Sequence, residues 1–420
     1  MEQIEKYDQT GGFNPYELTW DEEIVFPSTR KLTEYGNRIY NRYPARSVFL
    51  VPRAILFSKS STQRNVLDPF MGSGTTAVET VVSGNIPYGV EMDPFARKIA
   101  EVSSSVFTED DLHELEKVFF TLRDNWVTYD PVEEPDLIGI SRWFKPQDYI
   151  ELRKLKACID TLTPERFKDF MLIVYADCIK PVSKMERQST KPYISSKYEK
   201  VTKSVADSFE YSFKAHYKPI CEMSKKMNYT PQEKIHWLGN NATNFEAVDP
   251  IIDLAITSPP YINAFDYTQC IKVESAMCGL LNNAAVRELR SVQVGHTSRR
   301  KNSVTDKVAE IFKSYYDALC VKDSNSADTC LSYFNDICSN LQCVYKALKP
   351  GGEYHMIIGD SRIKDIDIPT HEIIAKIATD VVGYDWFGSY RYSIKDHRTS
   401  IPRDKDTSKI QYEFVIMLRK

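Results

Sequence analysis

A short strand, a glycine-rich turn and a helix follow one another early in this chain, and they constrain its fold more than any other feature. Residues 64–68 are predicted to form the strand and residues 75–83 the helix. A second pair follows, with a strand at 86–91 and a helix at 94–103 that has proline in its first turn. Because parallel strands are joined through helices, this alternation predicts a parallel sheet with right-handed crossovers.

The alternation stops near residue 108 and resumes at residue 235. The later part is predicted to contain strands at 235–239, 251–257, 353–358, 384–393 and 411–419, and helices at 306–321, 328–348 and 371–382. The segment between the two parts shows helical spacing of apolar residues. We therefore predict one α/β domain, residues 1–107 and 235–420, interrupted by a mainly helical insertion at 108–234.

Charge is distributed unevenly along the 420 residues. The net charge is −4, yet residues 180–234 contain twelve Lys or Arg against six Asp or Glu, with seven Tyr or Phe between them. The rest of the chain therefore carries −10. These numbers exclude a protein surface that is basic throughout and binds nucleic acid everywhere, whereas they are compatible with a local basic face.

Other features narrow the class of protein. The chain has no run of 18 apolar residues and no secretory pattern near Met1, so we expect neither a membrane span nor a leader. Its nine cysteines are dispersed and include no C-x-x-C pair, which is typical of reduced thiols in a cytoplasmic protein. No metal-ligand pattern occurs among its histidines and cysteines, and we expect no metal.

The glycine-rich turn reads Asp68-Pro-Phe-Met-Gly72-Ser-Gly74-Thr-Thr76-Ala77 and favours an anionic or carboxylate-bearing ligand. Glycines allow close backbone approach, and the following helix offers free N–H groups and a positive dipole. Asp68 could bind an ammonium group, and Glu91 could accept hydrogen bonds from ribose hydroxyls. The spacing also fits the dinucleotide fingerprint, and a tight turn without ligand is the simpler alternative. A Walker loop is excluded, because no Gly-Lys-Ser/Thr follows.

This motif, with Gly89-Val-Glu91-Met-Asp-Pro94 fifteen residues further on, resembles the S-adenosylmethionine site of the DNA amino-methyltransferases. Upstream, Tyr43-Pro-Ala-Arg46 resembles the segment that packs against the methionine end of the cofactor in that family. The resemblance implies a Rossmann-like methyltransferase sheet, mostly parallel with an antiparallel C-terminal strand. It assigns cofactor binding to Tyr43, Asp68, Phe70, Gly72, Ser73, Gly74, Thr75, Thr76, Glu91, Met92, Asn240 and Asn241.

The two asparagines depart from the family pattern. Leu238-Gly-Asn-Asn241 stands where relatives usually have an acidic residue that binds the adenine amine of the cofactor. An amide oxygen can accept the same hydrogen bond. Order along the chain is a second departure, because many relatives with a Ser-Pro-Pro-Tyr loop place that loop before the glycine loop.

A second loop, Ser258-Pro259-Pro260-Tyr261, follows the strand at 251–257 and is expected at the same sheet edge. The exocyclic amine of a base is a poor nucleophile, because its lone pair is delocalised. The Ser258 hydroxyl and the Pro259 carbonyl would favour a pyramidal nitrogen and stabilise its positive charge, while Pro260 fixes the direction of that carbonyl. Tyr261 would stack a flipped base. A rigid turn without catalytic function is the alternative.

The first residue of this loop bears on the target base. Ser-Pro-Pro-Tyr resembles the cytosine-N4 type, whereas the adenine-N6 type usually begins with Asp. Methylation of cytosine C5 is disfavoured, because the family resemblance for that reaction is a Pro-Cys motif with a cysteine nucleophile. This chain has no Pro-Cys pair. The expected activity is therefore methylation of cytosine N4 in double-stranded DNA, with adenine N6 as the alternative and a cognate restriction endonuclease as a candidate partner.

Two basic stretches are candidates for DNA contact, residues 180–203 and 287–301. The residues assigned to DNA are Lys184, Arg187, Lys191, Lys197, Lys200, Arg299 and Arg300. Each stretch can also be a merely solvated face. Three further functions stay open: a nicotinamide dehydrogenase, which leaves Ser258–Tyr261 without a role, a catalytically silent DNA-binding subunit, and an RNA methyltransferase, for which no separate RNA-binding module is visible.

Overall fold

An eight-stranded sheet forms the centre of this computed structural model. The described residues are 2–28, 32–44, 46–58, 62–187, 189–227, 234–262, 266–295, 305–394 and 411–420. Within these ranges the strands are β1 Glu22–Ile24, β2 Asn65–Asp68, β3 Ile86–Val90, β4 His236–Gly239, β5 Ile252–Thr257, β6 Leu348–Gly359, β7 Ser361–Ile363, β8 Ile366–Ile368, β9 Asp385–Ser393 and β10 Tyr412–Arg419.

Helices surround this sheet and form a separate packed region beside it. In the same ranges the α-helices are α1 Glu2–Thr10, α2 Leu50–Ser58, α3 Thr75–Val82, α4 Pro94–Ser104, α5 Glu109–Asn125, α6 Pro146–Asp160, α7 Glu165–Val182, α8 Val205–Lys226, α9 Tyr267–Met277, α10 Asn283–Val292, α11 Asp306–Lys322, α12 Ser324–Ala347 and α13 Thr370–Ile377. No described helix is both long and apolar enough to cross a membrane.

The order of the strands confirms the predicted fold class. In space the sheet runs β1-β9-β10-β6-β5-β2-β3-β4. Strands β4, β3, β2, β5 and β6 pair in parallel, and β10 pairs antiparallel with both β6 and β9. The sheet is therefore mostly parallel and Rossmann-like, with an antiparallel C-terminal strand, as the sequence predicts.

Alternation along the strands places a hydrophobic core on each face of the sheet. Leu67, Ala255 and Met356 belong to a cluster that α11, α12 and α13 cover. Their chain neighbours Val66, Leu254 and Ile357 point the other way and pack with Val51 and Ile55 of α2. Successive side chains of a strand point to opposite faces, so both faces are buried under helices.

The segment predicted as an insertion contains α5, α6, α7 and α8, with short 3₁₀ turns and no strand among its described residues. Its apolar side chains share one core with Phe95 and Ile99 of α4 and with Ile271 of α9. Phe119 of α5 and Phe213 of α8 stack at a centroid distance of 3.9 Å inside that core. The helices are thus packed against the sheet domain, and the proposed division at 108 and 234 stays a prediction.

Two boundaries differ from the sequence prediction. The sequence predicts that residues 349–352 end the preceding helix and that a strand begins at residue 353. In the structure α12 already ends at Ala347, and residues 349–352 are part of β6. The last helix is α-helical only over α13 and then continues as one π-helical turn, Ala378–Val382, that ends at Gly383 with φ +102°. The apolar pattern of the sequence does not predict α1, α2 or α7–α10 as separate helices.

A buried ion pair ties the N-terminal segment to the sheet domain. Arg53 of α2 and Glu79 of α3 are 1% and 0% exposed, and their Nε–Oε2 distance is 2.7 Å. The guanidinium also donates to the carbonyl oxygens of Asp8 and Thr33, and Asn37 donates to Glu79. Breaking such a pair leaves one charge buried without compensation.

We expect Arg53→Met to destabilise the fold by about 3–5 kcal/mol, because Glu79 would remain buried and unpaired. Arg123→Met is the matched control, since Arg123 forms its ion pair with Asp124 at the surface. Urea unfolding measures both variants. If the urea midpoint of Arg53→Met equalled that of Arg123→Met, the buried ion pair would contribute nothing to the stability of the fold.

Candidate functional site

The strand order reverses between β2 and β5, and this is where open α/β sheets bind ligands. The chain leaves β2 towards β3 and β4 and then returns to β5 on the other side of β2. Asp68 and Thr257 end these two neighbouring strands, and Thr257 Oγ1 donates to Asp68 Oδ1 at 2.5 Å. Both predicted loops therefore start side by side at one edge of the sheet.

The glycine loop is held by hydrogen bonds to two carboxylates. Phe70 N donates to Asp68 Oδ1 at 3.0 Å, and Gly72 N donates to Glu91 Oε2 at 2.7 Å. Gly72 has φ +52°, which glycine adopts without strain. Gly74 has φ +86°, and a Cβ there would lie 2.7 Å from Cα of Ala100. Gly74 thus permits the close packing of α3 against α4.

A cleft that is partly open to solvent lies above this edge. Nine of the predicted cofactor and catalytic residues line it: Tyr43, Phe70, Gly72, Glu91, Met92, Asn240, Asn241, Ser258 and Pro260. They come from segments that are far apart in the chain. The structure thus brings the glycine loop, the Tyr43 segment, the ends of β3 and β4 and the proline loop to one cavity.

The other predicted residues are not among those that line the cleft. These are Asp68, Ser73, Gly74, Thr75, Thr76, Pro259 and Tyr261. Ser73 to Thr76 form the turn into α3 and its first turn, and they are buried. Asp68 and Thr76 are joined to β5 through Thr257 Oγ1 and the carbonyl of Ile256. These hydrogen bonds of Asp68 and Thr76 hold the glycine loop in place.

Tyr43 covers the glycine loop. A Cβ placed on Gly72 would lie 3.5 Å from Cε1 of the Tyr43 ring, so the two enclose a narrow space. Arg46 of the same motif donates to the carbonyl oxygens of Asn37 and Ile39 and to the Asn41 amide oxygen. Arg46 therefore holds the preceding turn rather than facing the cleft.

The two asparagines after β4 are not equivalent. The Asn241 amide oxygen accepts hydrogen bonds from both N and Oγ1 of Thr243, at 3.0 and 2.9 Å. Its acceptor capacity is therefore used within the turn, and its NH₂ group remains as a donor. Asn240 is exposed and also lines the cleft.

The proline loop presents Ser258 and Pro260 to the cleft, and the half-buried Tyr261 that follows them directs its hydroxyl towards the C-terminal strands. The Tyr261 hydroxyl donates a hydrogen bond to Glu413 Oε1 of β10. Burial, followed by the charge of Glu413, holds the pKa of Tyr261 well above its usual range. Residues 263–265, which continue this loop, lie outside the described residues.

Sequence reasoning missed one wall of the cleft. Tyr267 and Thr268 of α9 contribute to it, and so do Leu289 and the segment 292–294 at the end of α10. Asp266 caps α9 by accepting from Gln269 N at 3.0 Å, and its other oxygen lies 2.8 Å from Arg290 Nε. The Asp-Tyr-Thr-Gln stretch is a helix-start signal, yet nothing in it indicates that the helix faces the cleft.

The predicted DNA contacts within the described residues lie on the loop between α7 and α8. Arg187, Lys191 and Lys197 are exposed, and Lys184 is half-buried. The Lys200 ammonium group donates to the carbonyl oxygens of Lys180, Ser183 and Met185 at 2.6, 2.9 and 2.7 Å. All three of its protons are thereby engaged within the protein. Arg299 and Arg300 lie outside the described residues.

This loop borders the helix that forms one wall of the cleft. Helix α7 packs against α9. Burial raises the pKa of the Cys270 thiol, in α9, to about 11. The positive charges of Lys191 and Lys180 lie near enough to this thiol to oppose the rise. The exposed Lys191 is therefore on the same side of the molecule as the first turn of α9.

No family model matches this chain. It is similar to two Type II methyltransferases. M.MvaI of Kocuria varians is 22% identical over 392 residues, which are 87% of this chain and 85% of that protein. M.BsoBI of Geobacillus stearothermophilus is 24% identical over 316 residues, 69% of this chain and 60% of that protein.

Solved structures overlap less well. A SAM-dependent methyltransferase of Methanosarcina mazei is 10% identical over 87% of this chain and 96% of that chain, with a TM-score of 0.31. The rRNA methyltransferase aviRa of Streptomyces viridochromogenes is 6% identical over 90% of this chain and 87% of that chain, with a TM-score of 0.27. Overlaps at these TM-scores do not distinguish between functions.

Three carboxyl groups lie at or near the cleft, of which Asp68 and Asp93 are buried and Glu91 is half-buried. Burial raises the pKa of Glu91 from its ordinary value of 4.5 to about 7, against the hydrogen bonds that it accepts from backbone N–H groups. Burial also raises the pKa values of Asp68 and Asp93 to about 6. Asp93 Oδ2 is buried without a hydrogen-bond partner among the described residues. The site is thus suited to a ligand that carries donors or positive charge.

We expect the stability of the wild-type protein to fall, relative to Glu91→Gln, as the pH rises from about 5 to about 8. Between pH 4.5 and about 7 the folded protein holds on Glu91 a proton that the unfolded chain has released. Stability that depends on this proton is lost once the pH exceeds the folded-state pKa. Thermal unfolding of both proteins at several pH values measures the difference, and a difference that does not change with pH would contradict the assignment.

Proposed function

We propose that this chain is a DNA methyltransferase that transfers a methyl group from S-adenosylmethionine to an exocyclic amine of a base. The observation that carries the proposal is the juxtaposition of the two loops. The hydrogen bond between Asp68 and Thr257 fixes their starting points, and Phe70 and Ser258 line the same cleft. A cofactor bound at one loop would therefore adjoin a base bound at the other. The similarity to Type II methyltransferases supports this assignment.

The residues of the cleft fit the cofactor. The positive φ of Gly72 brings backbone close to the cavity, and a side chain there would fill the space under Tyr43. The Glu91 carboxyl group accepts backbone hydrogen bonds from Gly72 and Asp93, and its remaining acceptor capacity would serve a ribose hydroxyl. Asn240 offers an amide oxygen to the adenine amine, while the Asn241 NH₂ group can donate to a ring nitrogen.

Ser258 and Pro259 would act on the target amine. Bound in the cleft, S-adenosylmethionine would supply a methyl group on a sulfonium, so the N–C bond forms as the S–C bond breaks with its electron pair left on sulfur. The Ser258 hydroxyl and the Pro259 carbonyl accept hydrogen bonds from the amine and stabilise its positive charge. The methylated nitrogen then releases one proton to solvent.

Cytosine N4 is the target that we propose. The support is the identity of Ser258, because a neutral hydroxyl at this position resembles the cytosine-N4 type and the adenine-N6 type usually has Asp. Adenine N6 is the second candidate, since the rest of the site serves either amine equally. A role beside a cognate restriction endonuclease is part of the proposal and is consistent with the names of the relatives.

We expect Ser258→Ala to lower the methylation rate about 100-fold or more, because the charged amine loses an oriented acceptor. Ser105→Ala is the control, since Ser105 follows the last residue of α4 and its hydroxyl donates to the Glu101 carbonyl of that helix. Mass spectrometry of nucleosides from DNA treated with each protein and S-adenosylmethionine measures both rate and product. Finding only N6-methyladenine would refute the cytosine assignment.

The same preparations test the remaining alternatives. A nicotinamide dehydrogenase should bind NAD and not S-adenosylmethionine in calorimetry. A catalytically silent DNA-binding subunit should be unaffected by Ser258→Ala. Parallel incubation with RNA tests an RNA substrate, and methyl groups found only in RNA would overturn the choice of DNA.

For the DNA, we propose the loop at 184–203 as a contact surface. Arg187, Lys191 and Lys197 point their charges outward, and Tyr193 and Tyr198 are 48% and 58% exposed between them. Internal bonds hold the loop, including Glu186 N to the Tyr193 carbonyl at 3.0 Å and the three bonds of Lys200. An ordered loop presents cations to phosphates with little additional loss of entropy.

We expect the double variant Lys191→Glu/Lys197→Glu to bind duplex DNA more weakly and with a smaller salt dependence. Each phosphate contact contributes about 0.9 to the slope of log K against log salt, so the slope should fall by about 2. Lys117→Glu/Lys214→Glu makes the same charge change at lysines that are 58% and 69% exposed on α5 and α8. Fluorescence anisotropy measures the affinities, and equal losses in both variants would remove the loop from the interface.

A further inference from the structure

Glu413 joins the proline loop to the C-terminal strands. It lies at the start of β10, opposite Gly359 of β6 and Tyr392 of β9. Because β10 is antiparallel to β6, its first residues stand at the edge where β5 ends and the proline loop begins. The Glu413 carboxylate lies between two phenols: Oε1 accepts from the Tyr261 hydroxyl, and Oε2 accepts from the Tyr392 hydroxyl.

One of these two phenols is a fixed support. Tyr392 is 1% exposed, and its ring packs edge-on against Phe26 at a centroid distance of 5.0 Å. A carboxylate with both oxygens bonded to phenols, one of them in the core, has little freedom to rotate. Bonds to a charged acceptor are also stronger than neutral ones. The position of Tyr261 is therefore determined from β9 and β10 as well as from its own loop.

The contact leaves one chemical role for Tyr261. Its only donor is engaged by Glu413, and burial together with that carboxylate keeps the phenol protonated. The phenol is thus unsuited to remove a proton from the target amine or to donate to the base. What remains is the ring itself, whose face can stack on a base.

We propose that Glu413 is a positioning residue that fixes the Tyr261 ring for stacking on the flipped target base. This inference rests on the proposed function and adds to it a residue 152 positions away along the chain. Glu413 would act through Tyr261 and not on the base itself, since its two oxygens are engaged by the hydroxyls of Tyr261 and Tyr392. Its effect should therefore appear in the chemical step rather than in cofactor binding.

The test compares Glu413→Ala, Glu413→Gln and Tyr261→Phe in transfer of tritiated methyl groups to plasmid DNA. We expect Glu413→Ala and Tyr261→Phe each to lower kcat about 10- to 100-fold while KM for S-adenosylmethionine stays unchanged, because a misplaced ring costs orientation. The double variant should be no worse than the single ones, since both remove the same contact. Glu413→Gln should recover part of the activity, because its amide oxygen still accepts one phenol.

Tyr16→Phe is the matched control. The Tyr16 hydroxyl donates to Glu353 Oε2 at 2.8 Å, another phenol–carboxylate pair, and Glu353 pairs with Arg419 at the other end of β10. Its loss should affect thermal stability and leave kcat unchanged. Equal losses of kcat in Tyr16→Phe and Tyr261→Phe, or a rise in KM for the cofactor in Glu413→Ala, would overturn the positioning role. A wild-type protein that transfers no methyl group would instead refute the proposed function itself.

Discussion

The hydrogen bond from Thr257 to Asp68 is the contact on which the rest of the site depends. It joins the ends of two strands that are adjacent in the sheet and 189 residues apart in the chain. From this point the glycine loop and the proline loop diverge around a common cleft. The carboxylate that accepts this bond also accepts from Phe70 N, so one buried group orders both loops. The cost of burying that carboxyl is visible in its raised pKa.

The carboxyl groups around the cleft and the cations on the α7–α8 loop give the molecule opposite local charges. Glu91 and Asp93 lie at the cleft, where donors and positive charge on a cofactor would meet them. Lys191 and Lys197 stand outside, where a polyanion would approach. The net charge of −4 averages these regions and describes neither. A cationic cofactor and an anionic substrate can thus be attracted to neighbouring parts of one surface.

Much of the fold was predictable because its signals are local. Strand β2, helix α3 and strand β3 follow from apolar runs, glycines and a proline at a first turn, and all three were placed within a residue or two. Helices α7 to α10 were not assigned individually, since their apolar faces pack on each other and on α4, which a single segment does not show. The wall formed by 289–294 was missed for the same reason: nothing in Leu289 or Val294 distinguishes a cleft residue from a core residue.

The sequence by itself determined which chemical groups stand at the strand ends: a glycine loop before a helix, an acid after the next strand, and Ser-Pro-Pro-Tyr after a third. Those patterns depend on residue type and short spacing, which local backbone physics translates directly. Only the tertiary structure decided which residues face the cleft and which support them. Gly74 and Thr76 look like ligand-binding residues in the motifs, yet their contacts are with Ala100 and Ile256, and the hydroxyl of Tyr261 bonds to Glu413. Such contacts arise from strand order and helix packing, which bring together residues far apart in the chain.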